Sequence, residues 1–231
     1  MELREVRGSP TSRSSRALPL VIFRGLPGTG KTHLALAFIK AMRKRDGLVF
    51  ARVSRDELRR SLFCRPAYTE DEKQLCNGLV AVQSQHLVEH GWPVVVDGMA
   101  LSHMEDVYAL VNTILHTDAA APSVGSECSS AARQEAGVYV LLVECYCSDG
   151  TATRRIEADG AMHPAGDRDK DLYFRVKERF EHSDDFVGRM GGGRRDAGVV
   201  YDRVVLCSED DNAQTNVELL CERARAATKA R

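Results

Sequence analysis

The clearest chemical signal in the sequence is a run of eight residues, Gly25, Leu26, Pro27, Gly28, Thr29, Gly30, Lys31 and Thr32. The run matches the pattern G-x-x-x-x-G-K-[ST] of the phosphate-binding P-loop. Its glycines let the backbone turn tightly, so that consecutive N–H groups converge on one anion. Lys31 can reach the β- and γ-phosphates of a nucleotide, and the Thr32 hydroxyl can hold Mg²⁺. The run is therefore predicted to bind a nucleoside triphosphate together with Mg²⁺.

Asp97 is a second candidate, because it closes the apolar run of residues 93–97, which reads as a buried strand. Two roles are open to a carboxylate at that point. It can hold Mg²⁺ through the water molecules of the metal, or it can contact the acceptor substrate. Asp97 is therefore predicted to be a metal residue and a substrate residue.

These residues need a framework that brings them together. Residues 18–23 read as a short buried strand before the P-loop, and residues 32–45 read as a helix after it. Strand and helix patterns continue to alternate, with further strands predicted at 48–53, 93–97, 138–145 and 199–206. Such alternation is typical of a parallel sheet with helices on both faces. The expected fold class is α/β, a three-layer P-loop NTPase fold with a central five-stranded, mostly parallel sheet.

Local patterns predict three further features of the helices and loops. The segment Thr69-Glu-Asp-Glu72 has the form of a capping box, which opens a long helix that ends at Gly91. Along that helix, the stripe of Leu75, Leu79 and Val82 is expected to face the core. Residues 188–198 are rich in glycine and are expected to be mobile.

The length of the chain, 231 residues, is enough for one α/β domain and short for two. We therefore expect a disordered leader over residues 1–17 and a single domain over residues 18–231. Residues 117–137 lose all periodicity and are interpreted as a flexible surface insertion.

Charge, cysteine content and hydropathy indicate which partners and which cellular compartment to expect. A formal net charge of −1 excludes a global field that attracts nucleic acid, although a local basic groove is still compatible with it. The seven cysteines show no disulfide pattern and are interpreted as reduced thiols. No segment approaches the roughly 18–20 apolar residues of a membrane span. We expect a cytoplasmic protein with no membrane partner, with a mitochondrial transit peptide at the Arg- and Ser-rich start as the alternative.

Several large classes of P-loop protein are excluded by motifs that the sequence lacks. It contains neither the N-K-x-D guanine motif of regulatory GTPases nor an LSGGQ-like signature of ABC ATPases. Many motor-type ATPases end the second acidic strand in Asp-Glu, whereas Asp97 is followed by Gly98. Small kinases remain as the leading class.

Three segments besides the P-loop point to one branch of these kinases: Ser54-Arg-Asp-Glu-Leu-Arg-Arg60, Tyr68-Thr-Glu-Asp-Glu-Lys73 and Gly91-Trp-Pro-Val-Val-Val-Asp97-Gly98. Together with the P-loop, they resemble the kinases related to polynucleotide 5′-kinase, with zeta toxins and seryl-tRNA kinases as more distant relatives. The resemblance spans roughly residues 18–208. It implies a P-loop kinase that uses ATP and Mg²⁺.

The resemblance also implies roles for residues near the second strand. In that branch, the aspartate at the position of Asp56 is a general base, and a positioned carboxylate can take the proton of an attacking hydroxyl. An arginine at the position of Arg59 contacts a substrate phosphate in polynucleotide kinases, a task that suits a guanidinium fork. Arg60 is the alternative in register.

Kinases also need cations near the transferred phosphoryl group, usually arginines on a lid. The lid region is expected over residues 151–182, with Arg155 as its catalytic residue and Arg154 beside it. A further lid arginine of the relatives is missing from residues 156–159, where Arg168 could substitute for it. In the relatives, the loop after the fifth strand contacts the adenine base, and here that loop is residues 208–212.

The leading hypothesis is a phosphotransferase that moves the γ-phosphate of ATP to a hydroxyl, with Lys31, Asp56 and Arg155 as catalytic residues. The acceptor is a polynucleotide end, a tRNA or a small molecule. A nucleic-acid end would need a cationic groove, which the arginines between residues 52 and 65 could form. The alternatives are a non-catalytic nucleotide-binding module that signals to a partner, and a simple ATPase. No obligate protein partner is expected.

Overall fold

The computed structural model describes residues 17–115, 137–159, 169–192, 198–209 and 212–229. The predicted leader over residues 1–17 and the predicted insertion over residues 117–137 therefore lie almost entirely outside the described residues, as does the centre of the lid region. That residues 18–231 form a single domain stays a prediction.

Five strands and eight helices alternate along the described part of the chain. The strands are β1 (Leu18–Arg24), β2 (Ala51–Ser54), β3 (Val94–Asp97), β4 (Val138–Tyr146) and β5 (Val199–Cys207). The helices are α1 (Lys31–Asp46), α2 (Arg55–Leu62), α3 (Glu70–Glu89), α4 (Met104–Leu115), α5 (Asp149–Asp159), α6 (Lys170–Glu178), α7 (Phe186–Gly192) and α8 (Ala213–Lys229). None of these helices is long and apolar enough to cross a membrane.

The strands form one sheet in the order β2-β3-β1-β4-β5, and every neighbouring pair is parallel. The predicted α/β fold is confirmed, and the described sheet is parallel throughout. Because these strands are parallel, the loop after the central strand β1 opens at the same edge of the sheet as the ends of β2 and β3. Ligands of open α/β sheets bind at this edge.

Side chains of β1 alternate between two hydrophobic clusters, one on each face of the sheet. Leu20 and Ile22 pack with α3 and α4, whereas Val21 and Phe23 pack with α1 and α8. All four side chains are fully buried. Helices therefore cover both faces of the sheet, which gives the predicted three layers.

The helices that flank the site begin and end at the expected local signals. Gly47 closes α1 in the left-handed conformation, with φ 67°, and its N–H donates to the Arg43 carbonyl. The Thr69 hydroxyl caps α3 by accepting the N–H of Glu72 at 3.3 Å, which is one half of the predicted capping box. The Glu72 carboxylate accepts from the backbone of Ala67 and Tyr68, not from Thr69. The helix ends at Glu89, two residues before the predicted end.

The prediction for the core face of α3 is wrong. Leu75 is 50% exposed and Val82 is 58% exposed. The buried face is instead a stripe of smaller side chains, Cys76, Val80, Ala81, Ser84 and Val88. Small side chains let α3 pack closely on α4 and on the sheet, and they give a weaker apolar signal than leucine.

The first part of the segment predicted to be mobile, residues 188–192, belongs to helix α7. Phe186 at the start of α7 is fully buried in the cluster on the α3 and α4 side of the sheet. That burial holds the helix in place despite its glycines. Residues 193–197 lie outside the described residues.

Candidate active site

The P-loop leaves the end of β1 through glycines that have close backbone neighbours. Gly25 has φ 143°, and a Cβ there would lie 2.3 Å from the carbonyl oxygen of Cys145. Gly28 has φ 80°, and a Cβ there would lie 2.5 Å from the carbonyl oxygen of Ala152. A side chain at either position would clash with backbone, so the loop is held between β4 and α5.

Helix α1 begins directly after the loop, and Gly30 precedes it with φ 72°. Lys31 Nζ donates a hydrogen bond to the Leu26 carbonyl at 2.7 Å, and the Thr29 hydroxyl donates to the same carbonyl at 2.8 Å. The N-terminus of α1 thus combines the first backbone N–H groups of the helix, the positive end of the helix dipole and the Lys31 ammonium. This combination suits the binding of a phosphate group.

Thr32 and Asp97 are in contact below the loop. The two side chains are hydrogen-bonded, with 3.2 Å between Thr32 Oγ1 and Asp97 Oδ1, and Asp97 is fully buried at the end of β3. Oxygen ligands of this kind suit Mg²⁺, so the donor set fits the predicted metal. No group of three or more His, Cys, Asp and Glu side chains forms another metal site in the described ranges.

Arg52 compensates the buried charge of Asp97. Its Nη2 and Nε lie 2.8 and 3.3 Å from Asp97 Oδ2, and its Nη1 lies 2.7 Å from Glu57 Oε1. Burial lowers the pKa of Arg52, but the hydrogen bonds to Glu57 and Asp97 outweigh this effect and raise the pKa above its ordinary value. Arg52 therefore stays charged and joins β2, β3 and α2 at this edge.

A cavity of about 590 Å³ lies over the P-loop and the ends of β2 and β3. Lys31 and Thr32 line it from the start of α1, and Asp56 and Arg59 line it from α2. Its volume is within the usual range for a ligand pocket. The structure thus brings Lys31, Thr32, Asp56 and Arg59 around one space, which we call the main cavity, while Asp97 lies buried beneath Thr32.

Helix α2 presents Asp56 and Arg59 to the main cavity from one face. Asp56 Oδ1 lies 3.6 Å from Arg55 Nη2, is buried, and has no hydrogen-bond partner among the described residues. Arg59 is 6% exposed and lies over the ring of Tyr68, 5.0 Å from its centroid. Arg60, the alternative in register, is exposed. The residue at the cavity is therefore Arg59.

Arg155 lies on the other side of the P-loop, at a smaller cavity of about 310 Å³. Its Nη2 donates to the Ser208 carbonyl at 2.7 Å, and its Nη1 donates to the Gly28 carbonyl at 3.4 Å. Asn216 and Glu209 also line this smaller cavity, which we call the second cavity. The structure therefore does not bring Arg155 into the main cavity with Asp56. Arg168 lies outside the described residues.

Sequence reasoning missed a buried ionic network behind the P-loop. Arg24 at the end of β1 is fully buried, and its Nη1 donates to Glu144 Oε2 on β4 at 2.7 Å. Its Nε and Nη2 donate to the Leu101 carbonyl at 3.1 and 2.9 Å, and Nη2 also donates to the Glu181 carbonyl at 2.6 Å. The network joins β1 and β4 to a wall of the main cavity and to the segment after α6. The sequence did contain a signal for this network, because Arg24 and Glu144 are each the one charged residue of an apolar strand.

Fold and loop together define this protein as a P-loop NTPase of the α/β class. A family model described as an AAA domain, AAA_33, matches residues 20–161, and the chain belongs to this family. The resemblance to P-loop kinases of the polynucleotide 5′-kinase branch is thereby confirmed at the level of family and fold. No curated protein matches the chain significantly.

Solved structures of the same fold cover almost the whole chain. A candidate kinase from Chloroflexus aurantiacus is 15% identical, with a TM-score of 0.57 over 93% of this chain and 100% of that chain. Kti12 from Chaetomium thermophilum, solved in complex with ADP-AlF3, is 14% identical, with a TM-score of 0.57 over 91% of this chain and 99% of that chain. At these identities the likeness concerns the fold.

Proposed function

We propose that the protein is an ATP- and Mg²⁺-dependent kinase that transfers the γ-phosphoryl group to a hydroxyl of an acceptor in the main cavity. The observation that carries this proposal is the shared space in which Lys31 and Thr32 face Asp56 and Arg59. A phosphate-binding loop and a carboxylate whose buried Oδ1 makes no hydrogen bond with the described residues line one cavity, which suits a donor site and an acceptor site.

On the donor side, the amides of residues 25–32 bind the phosphates, and Lys31 lies against the β- and γ-phosphates. To do so, Lys31 Nζ exchanges its hydrogen bond with the Leu26 carbonyl for phosphate oxygens. Thr32 and Asp97 would together hold Mg²⁺. The metal, when bound, neutralises charge on the phosphate oxygens during transfer.

On the acceptor side, Asp56 accepts the proton of the attacking hydroxyl. Its buried Oδ1 lacks a hydrogen-bond partner among the described residues, so a hydroxyl in the main cavity can supply one. Arg59 binds an anionic group of the acceptor, for which a guanidinium fork is well suited. Asp97, the other predicted substrate residue, lies too deep for acceptor contact and serves in this proposal through the metal.

The main cavity bears directly on the choice of acceptor. Arg52, Arg55 and Arg59 line it, together with Lys73 and Arg179. Carboxylates line the cavity as well, and Glu57 and Glu70 already pair with Arg52 and Lys73. A polynucleotide end, a tRNA end or a small anionic alcohol would benefit from the remaining cations. Binding of a nucleic acid should weaken steeply as salt is raised, because its phosphates release counterions. Binding of a small acceptor should respond far less to salt.

The test is transfer of labelled γ-phosphate from ATP to a panel of 5′-hydroxyl oligonucleotides, tRNA ends and small alcohols. Lys31→Ala should abolish transfer, and Asp56→Asn should reduce kcat by about 10²–10⁴-fold while the Kd for ATP is retained. Asp71→Asn, on the exposed surface of α3, is the matched control. Unchanged turnover in Asp56→Asn would remove the general-base assignment.

The position of Arg155 favours a second candidate, a nucleotide-binding module that hydrolyses ATP slowly or signals by occupancy. The Arg155 guanidinium donates to the Gly28 and Ser208 carbonyls at the smaller cavity, and Arg155 does not line the main cavity with Asp56. If this second candidate is right, the rate of ADP formation does not change when any acceptor is added. Acceptor-dependent ADP release would rule it out.

A further inference from the structure

Tyr68 has an unusual backbone conformation at the edge of the main cavity. Its φ of 58° lies in the left-handed region, which residues with a Cβ seldom adopt. The other non-glycine residue with positive φ in the described ranges is Leu101, and it lines the same cavity. Such conformations persist only where surrounding contacts hold them, and they are concentrated at functional sites. A tyrosine at a position that favours glycine points to a use for its side chain.

Glu72 holds the backbone of Tyr68 in this conformation. Its Oε1 accepts the N–H of Ala67 at 2.8 Å, and its Oε2 accepts the N–H of Tyr68 at 2.8 Å. The N–H of Glu72 donates to the Thr69 hydroxyl at 3.3 Å. One carboxylate thus fixes the turn before α3, while the separate capping bond, from the backbone N–H of Glu72, closes the first turn of the helix.

Arg59 depends on the same two residues. Its guanidinium lies over the Tyr68 ring, and its Nε lies 3.9 Å from Glu72 Oε2, too far for a hydrogen bond. That Nε is buried without a hydrogen-bond partner among the residues described. A buried cation needs compensation, and here the ring face and the nearby carboxylate supply it.

We propose that Tyr68 and Glu72 are positioning residues that hold the Arg59 guanidinium at the acceptor side of the main cavity. The inference rests on the proposed function, in which Arg59 binds an anionic group of the acceptor. The Glu72 carboxylate holds the turn at Ala67 and Tyr68, and this turn places the Tyr68 ring. The ring and the carboxylate together hold the Arg59 guanidinium. An arginine held in advance loses less side-chain freedom on binding, so the unit favours acceptors that carry a phosphate or carboxylate.

The first test measures Arg59 itself and needs no acceptor. Phenylglyoxal modification of the full-length protein, followed by peptide mass spectrometry, reports how accessible the Arg59 guanidinium is. Tyr68→Leu and Glu72→Gln should raise the modification rate about tenfold over wild type, because local opening exposes the guanidinium. Tyr68→Phe keeps the ring and should retain the wild-type rate.

Thr69→Ala is the matched control for these variants. It removes the hydroxyl that caps α3 and lowers stability, as loss of a helix cap does, but it leaves the Glu72 bonds to the turn intact. If Glu72 and Tyr68 serve only to stabilise α3, the Arg59 modification rates of Tyr68→Leu and Glu72→Gln will match that of Thr69→Ala. That result would overturn the proposal.

The second test uses the acceptor from the panel that wild type phosphorylates best. The acceptor KM should rise about tenfold in Tyr68→Leu and Glu72→Gln, while the Kd for ATP stays constant. An unchanged acceptor KM in variants with a released Arg59 would also overturn the positioning role. If wild type phosphorylates no acceptor, the proposed function fails, whereas the modification rates still decide whether Tyr68 and Glu72 hold Arg59.

Discussion

Arg52 and Asp97 form an ion pair at the base of the P-loop, with 2.8 Å between Nη2 and Oδ2. Asp97 is fully buried, while the Arg52 side chain keeps 15% of its surface exposed. The other oxygen of Asp97 contacts the Thr32 hydroxyl. The carboxylate thus lies between a resident cation and the place proposed for Mg²⁺.

Arg52→Met should lower the free energy of unfolding by about 3 kcal/mol, because it leaves the buried Asp97 charge without its partner. In the proposed function, Mg²⁺ bound with ATP supplies a new positive charge beside that carboxylate. The difference in the free energy of unfolding between wild type and Arg52→Met, measured by urea denaturation, should therefore decrease when Mg²⁺ and ATP are both added. An equal difference with and without them would contradict the assignment of Asp97 to the metal.

Gly28→Ala should disrupt the P-loop, because the added Cβ would lie 2.5 Å from the Ala152 carbonyl oxygen. Gly47→Ala is the matched control, since Gly47 also has positive φ but has nothing within 4 Å of the added Cβ. We expect both variants to lose about 1–2 kcal/mol of stability from backbone strain. Only Gly28→Ala should weaken binding of an ATP analogue, by tenfold or more. Equal affinities in the two variants would mean that the loop tolerates the displacement.

The donor half of the site could be predicted from sequence because its chemistry is local. The residues of a P-loop are consecutive, and the strand and helix that position them are its immediate neighbours. The sheet edge then brings Asp56 and Asp97 near the loop, because both follow parallel strands. The α/β class was also predictable, because the alternation of strands and helices is a pattern along the sequence itself.

The parts that sequence reasoning missed are long-range. Arg24 and Glu144 are 120 positions apart, and only the β1–β4 pairing brings them together. The left-handed conformation of Tyr68 depends on a carboxylate one helical turn into α3. The buried stripe of α3 has small side chains, whereas its exposed side has leucine and valine, so hydrophobicity alone favoured the wrong face.

Glu144→Gln should be strongly destabilising, because it leaves the buried Arg24 charge without its ion pair. Burial lowers the pKa of Arg24, and the Glu144 charge opposes that effect. Loss of one member of a buried pair costs about 3–5 kcal/mol. Glu105→Gln, which breaks an exposed pair with Arg189, should cost less than about 1 kcal/mol. Urea denaturation of the two variants measures the difference, and similar midpoints would contradict the structural role of the network.

Glu209 should make a pH-dependent contribution to stability. The backbone N–H of Ser148 and the hydroxyl of Thr151 donate to its carboxylate and hold the pKa of Glu209 below its ordinary value. A lowered folded-state pKa stabilises the protein above the ordinary glutamate pKa, and this contribution is lost as pH falls through the folded-state value. Wild type should therefore exceed Glu209→Gln in urea midpoint at pH 7, and the gap should narrow as pH drops below about 4.3. If the difference in urea midpoint does not depend on pH, the ionised Glu209 carboxylate is not its cause.

Arg155→Ala separates the two roles that an arginine beside the P-loop can have. Arg155 donates hydrogen bonds to the Gly28 and Ser208 carbonyls and lines the second cavity. The resemblance to kinases predicts the adenine base beside residues 208–212, so we expect the variant to weaken ATP binding. The Kd for ATP should rise about tenfold, while kcat at saturating ATP falls much less. Arg154→Ala is the matched control, because Arg154 is the exposed neighbour on the same helix. A large fall in kcat with an unchanged Kd would instead show that Arg155 acts on the transferred phosphoryl group, as the lid pattern in the sequence predicts.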